Sequence, residues 1–243
     1  MTAIRRAAAG SVLALILILA ACGGRARAPA PAESASPAAS PPSMAAPSSP
    51  APSPTIEAPT PAPGTRVLSS RVAYQWRWPN GNGPATVTHP ARVPLPQLVA
   101  IGAGDHPRDP GERPFNRMSF TFTTAFPSYR LEFADQLIGD GNGKPIPLKG
   151  LGVLRIVFRD AQAHTVDGRH STIAVQPSRH LGMLRMVDYA QAGDFEGVLT
   201  YGIGIAWPYL HSNPQIGVRA YEVELLTAQG QHNYIVAIDV EAR

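Results

Sequence analysis

The chain has 243 residues, a formal net charge of +4 and a single cysteine. Of its 21 basic side chains, Arg5 and Arg6 lie in a segment read below as removable, which leaves 19 basic against 17 acidic groups. So small an excess, with no basic stripe interleaved with aromatics, gives neither counterion release nor base stacking a surface to act on, and nucleic acid is excluded as an expected partner.

Residues 1–21 are laid out as a secretory signal. A basic head, Met1-Thr-Ala-Ile-Arg-Arg6, precedes the only long apolar run, Ala7 to Ala21, which is too short to span a bilayer comfortably. The stretch Leu19-Ala20-Ala21-Cys22-Gly23 resembles the lipobox of bacterial lipoproteins, with small residues before the cleavage point and a thiol after it. Such a thiol is alkylated by a diacylglyceryl group, and two acyl chains at about 0.8 kcal/mol per buried methylene give lasting attachment. The expected partner of Cys22 is therefore a membrane, met through lipid on its extracytoplasmic face. An ordinary signal peptide with an incidental cysteine and an uncleaved membrane helix are the competing readings. With no other cysteine, an exported domain must rely on its apolar core rather than on disulfides.

Residues 22–64 are mostly Ala, Pro and Ser. A segment of this composition cannot bury enough apolar surface to offset its ordering entropy, so it is expected to be a disordered tether. About 40 residues would reach roughly 120 Å as polyproline II and nearer 35 Å as a flexible coil. Residues 65–94 read as an N-terminal extension whose packing the sequence leaves open, opening on the alternating run Val72-Ala-Tyr-Gln-Trp-Arg-Trp78. There Trp76 and Trp78 are expected to cap the core.

From residue 95 to 242 short runs rich in β-branched and aromatic residues follow one another, at 97–102, 118–124, 129–133, 153–158, 184–189, 198–205, 218–225 and 234–240. In Arg117-Met-Ser-Phe-Thr-Phe122 the period of two puts Met118, Phe120 and Phe122 on one face. No stretch carries a capped 3.6-residue stripe. The expectation is one all-β domain, an antiparallel β-sandwich. Asp140-Gly-Asn-Gly-Lys-Pro145 reads as a hairpin loop; as a calcium loop it has too few acids and lacks the closing glutamate.

The chain shows no nucleophile elbow, no His-Glu-x-x-His helix and no cysteine besides Cys22. His164, His170 and His180 match no zinc spacing, so neither a metal nor a cofactor is expected. Asp194 and Glu196 flank Phe195, so both carboxylates should share one side while Phe195 enters the core. They are read as acid–base catalysts, as partners of an arginine such as Arg130 or Arg185, or as ligand contacts. Tyr129, Tyr201, Trp207 and Tyr209 suit stacking on a ligand as well as core filling, and Trp207, in a loop, is the preferred contact. The expected binding site is a concave polar face carrying Arg130, Glu132, Asp194 and Tyr201.

Leu98-Val-Ala-Ile-Gly-Ala-Gly-Asp105, Asn116-Arg-Met-Ser-Phe-Thr-Phe122, Tyr129-Arg-Leu-Glu-Phe-Ala-Asp135 and Ala192-Gly-Asp-Phe-Glu-Gly-Val-Leu-Thr-Tyr-Gly-Ile-Gly204 form a set of segments spread along the domain. Together they resemble the AMIN-like domain of bacterial envelope lipoproteins. The resemblance implies a β-sandwich that localises a protein by binding peptidoglycan or an envelope partner, without catalysis. A wall-remodelling hydrolase and a carrier of lipid or another small molecule are the alternatives. The chain departs from the family pattern in carrying Asn116-Arg117 where an Asp-Arg pair is usual, and in lacking the arginine before the last strand, Asn233-Tyr-Ile-Val-Ala-Ile-Asp239.

Overall fold

A computed structural model of the chain describes residues 64–80, 83–107, 109–206 and 215–243. The signal segment, Cys22, the tether, Trp207 and Tyr209 lie outside these residues. No helix occurs among the described residues. The strands are β1 (Arg66–Arg77), β2 (Ala85–Val87), β3 (Leu98–His106), β4 (Phe115–Phe122), β5 (Ser128–Ala134), β6 (Leu137–Ile138), β7 (Pro145–Ile146), β8 (Gly152–Arg159), β9 (Met186–Phe195), β10 (Val198–Ile205), β11 (Val218–Leu226) and β12 (His232–Glu241).

Two five-stranded antiparallel sheets, ordered β1-β11-β12-β4-β3 and β2-β5-β8-β10-β9, enclose one core, and β6-β7 forms a separate hairpin. Alternation decides what each strand buries. Met118, Phe120 and Phe122 of β4 point inward and meet Leu131 of β5, Ile156 and Phe158 of β8, and Tyr201 of β10. Phe158 lies edge-on to both Phe120 and Phe122, with ring centroids 5.0 Å apart in each case. Such pairs add roughly 0.5–1.5 kcal/mol beyond the area they bury. β1 and β2 take up much of the 65–94 extension, β1 pairing with β11 and β2 with β5.

Asn116 and Arg117 stand on opposite faces of β4. Asn116 is buried and joins the two sheets: its Oδ1 accepts from the backbone N–H groups of Arg185 (2.7 Å) and Met186 (3.1 Å), and its Nδ2 donates to Asp105 Oδ1 at 2.7 Å. An aspartate could not make that last donation, so the amide at this position has a structural cause. Arg117, on the outer face, lies in one row with Asp239 of β12 and Arg219 of β11. Trp76 belongs to this outer face as well. It stacks under the guanidinium groups of Arg219 (4.6 Å) and Arg113 (5.1 Å) instead of capping the core, because β1 presents it to the charged row.

Candidate functional site

The outer face of the second sheet is half covered. Leu137 of β6 is fully buried against it, and Gly202 of β10 admits this because a Cβ there would approach Leu137 Cδ1 to 2.7 Å. Beyond the hairpin the face opens into a groove of about 760 Å³.

Registry builds the groove floor. Arg130 of β5, Val157 of β8, Thr200 of β10 and Gly193 of β9 form one row; Ser128, Arg159, Val198 and Phe195 form the next. Asp140, from the β6-β7 loop, closes one side by packing on Gly193, where a Cβ would meet its Oδ2 at 2.5 Å. Thr200 is wholly buried on this face and its hydroxyl has no hydrogen-bond partner.

The charges over the floor are mostly compensated. Arg130 Nη2 donates to Glu132 Oε2 at 2.6 Å. Arg155 reaches Glu132 through Nη1 and Asp140 through Nη2, each at 3.3 Å. With Asp140 engaged by Arg155 and Asn142 Oδ1 accepting from Lys144 N–H, the 140–145 segment is an internally bonded hairpin loop. Asp194 points away from the floor, toward the loop after β8: Ala163 N–H donates to both its oxygens (3.2 and 3.1 Å), and His164 Nδ1 lies 2.7 Å from Oδ2. The side chains of Arg159 and Glu196 are exposed, with no ion pair or hydrogen bond inside the protein.

Of the residues expected to form a site, Arg130, Glu132, Asp194 and Glu196 all border this groove, Asp194 with its carboxylate turned away from it. Tyr129 and Tyr201 do not, since both rings lie in the core. Burial pushes the Tyr129 hydroxyl far above the ordinary tyrosine range, helped by Glu222, to whose Oε1 it donates at 3.0 Å. Burial likewise raises Tyr201, with Tyr189 and Asp194 adding to it, and its hydroxyl reaches only Gln191 Oε1 at 3.4 Å. The reason is parity: Tyr129 and Leu131 face in, so Arg130 and Glu132 face out. Arg185 serves neither carboxylate; it donates to the carbonyls of Glu241 and Ala206.

The expected placement of Phe195 is reversed. Its side chain is 71% exposed at the groove instead of entering the core. The β9-β10 register slips between Thr200↔Gly193 and Tyr201↔Gln191, so Ala192 is an extra, bulged residue, and everything after it changes face. Phe195, Arg155 and Arg159 are among the groove residues that sequence reasoning missed. The two arginines leave a signal, because they alternate with Leu154, Ile156 and Phe158 in a strand whose inward face is plain from the sequence.

His164, His170 and His180 stay apart. His164 meets Asp194, His180 Nδ1 lies 3.4 Å from Asp188 Oδ1, and the backbone of His170 bonds Thr165. Among the described residues no group of three His, Cys, Asp or Glu side chains is arranged to hold a metal ion.

A family model described as AMIN-like domain matches residues 96–240. Neither a curated protein nor a solved structure matches the chain.

Proposed function

The chain belongs to the AMIN-like domain family, and on that premise we propose that it is a non-catalytic, lipid-anchored protein of the cell envelope whose domain binds peptidoglycan or an envelope protein. The observation that carries this reading is the groove on the second sheet. Its apolar floor of Val157 and Val198, its flanking arginines and its exposed Phe195 offer what a polymer of sugars and short peptides requires: a ring face to stack on, and charge-assisted donors. The lipobox ending in Cys22 supports attachment to the outer face of a membrane, and the Pro/Ala/Ser stretch supports reach from it.

Two features favour binding over turnover. Glu132 and Asp140 are bridged by arginines, and Asp194 is held by an amide and His164, so these carboxylates are spent on internal hydrogen bonds. Glu196 then lacks the free acidic neighbour that a two-carboxylate hydrolase uses. The groove is also open and edged with charge, unlike the enclosed apolar pocket a lipid carrier needs.

Sedimentation of the full chain with isolated cell-wall sacculi tests the reading. Co-sedimentation above a control protein, lost in Phe195→Ala, is the expected result. Sedimentation no greater than the control rejects peptidoglycan and turns the reading to a protein partner.

A further inference from the structure

The charges of the groove are unequal in what they are free to do. Glu132 is shared between Arg130 and Arg155, Asp140 is taken by Arg155, and Asp194 is taken by His164 and the Ala163 amide. One cation and one anion are left over among the groove residues, Arg159 and Glu196, both exposed. They occupy the same end of the groove. Arg159 is paired in register with Val198, Val198 with Phe195, and Glu196 follows Phe195 in the turn. Arg159 and Phe195 are thus two strand spacings apart, about 10 Å between backbones. No ion pair joins Arg159 to Glu196, so each is left to meet an opposite charge from outside.

An unpaired guanidinium and an unpaired carboxylate, set on two sides of an apolar patch, are complementary to a small molecule that carries both charges. A purely anionic ligand would leave Glu196 facing a like charge, and a purely cationic one would do the same to Arg159. A neutral sugar could hydrogen-bond to both side chains but would neutralise neither charge. We propose that this end of the groove takes the zwitterionic terminus of a short peptide, its carboxylate on Arg159, its ammonium on Glu196, and its aliphatic carbons over Val198 beside Phe195. The inference rests on the wall-binding reading above and deepens it: the part of the wall recognised is the stem peptide with a free amine and a free carboxylate, not the glycan.

The test is calorimetric titration of the full chain with four probes: a free wall tripeptide ending in a diamino acid, the same peptide amidated at its carboxylates, the same peptide acetylated at its amines, and an N-acetylglucosamine oligomer. The free peptide is expected to bind most tightly, each blocked peptide about tenfold more weakly, as for loss of one charge-assisted hydrogen bond, and the oligosaccharide more weakly still. In Arg159→Gln the penalty for amidation should vanish while that for acetylation stays, and Glu196→Gln should show the converse. Both side chains are exposed and unpaired, so both variants should fold, and the blocked peptides read the site in the unaltered chain in any case. Blocked peptides that bind within about twofold of the free one, or variants that keep both penalties, overturn the proposal. A free diamino acid that binds as tightly as the tripeptide overturns the assignment to the wall. Failure here is separable from failure of wall binding: retention on sacculi without tripeptide binding overturns this proposal alone, and tripeptide binding without retention on sacculi overturns the wall-binding reading.

Discussion

Replacing Asp239 by alanine should be among the most costly single changes in the domain. Asp239 is 0% exposed and lies between two arginines in one row across three strands. Arg117 binds it through Nε at 2.6 Å and Nη2 at 2.9 Å, and Arg219 through Nε at 2.9 Å and Nη2 at 2.8 Å. Removing the carboxylate leaves two guanidinium groups in the same row, facing each other across β12 with no anion between them. Breaking a buried pair from one side costs about 3–5 kcal/mol. Arg219 keeps Glu112 at 2.9 Å and its stacking on Trp76, which places the expected loss at the low end, about 3 kcal/mol. For a domain of this size that lowers the melting temperature by about 6–12 °C. Urea unfolding followed by tryptophan fluorescence reads it, with an unchanged m value, because the surface exposed on unfolding stays the same. Asp239→Asn keeps one acceptor oxygen but sets an NH2 against guanidinium donors, so it should recover only part of that loss. A loss below about 1 kcal/mol in Asp239→Ala would refute the reasoning, since that is what solvent-screened surface pairs give.

Three other predictions follow from single residues. Tyr201 has a raised pKa, so the stability its neutral form confers is present below the ordinary tyrosine value of about 10 and is lost as pH rises beyond it. Tyr201→Phe should cost under about 1 kcal/mol at pH 7, its one hydrogen bond being long, and should flatten the fall in melting temperature above pH 10. Asn116→Asp sets a carboxylate against Asp105 in place of a donor and should cost about 1–3 kcal/mol at pH 7. Facing carboxylates raise one another, so that loss should shrink as pH is lowered through the carboxylate range, which melting curves from pH 7 to pH 4 would display. Cys22→Ala should move the protein from the detergent phase to the aqueous phase in a Triton X-114 partition and abolish palmitate labelling; partition unchanged by the substitution would remove the lipid anchor from the account.

The sheets were largely legible in the sequence because their strands are long enough to alternate. Nine apolar runs coincide with β1, β3, β4, β5, β8, β9, β10, β11 and β12, and the face assigned to Met118, Phe120 and Phe122 is the buried one. The strands that escaped are β2, β6 and β7, of three, two and two residues, over which a period of two has nothing to repeat. The first half of β1 escaped for another reason. Residues 66–72 are exposed on both faces, so no apolar alternation marks them as a strand. What holds them there is the ladder to β11 and pairs such as Arg71 with the buried Glu222, which are long-range and leave no local trace.

The site was half legible, and the division falls at one residue. On β5, alternation alone sends Arg130 and Glu132 outward once Leu131 is taken as core, and it equally sends Tyr129 inward, so a tyrosine next to those charges cannot share their face. On β9 the same rule gives the wrong answer after Ala192, because a bulge adds a residue to one strand without adding one to its partner. Gln191-Ala-Gly193 contains no proline and no large side chain whose burial would betray the slip. Its effect on the groove is nonetheless large. Without the bulge, Phe195 would turn into the core and Asp194 would face the groove, out of reach of the Ala163 amide and His164. With it, the acid secures the loop after β8, and Phe195 becomes the one exposed ring among seven phenylalanines, beside the unpaired Arg159 and Glu196. A single inserted small residue therefore moves an aromatic from a packing position to the open surface of the groove.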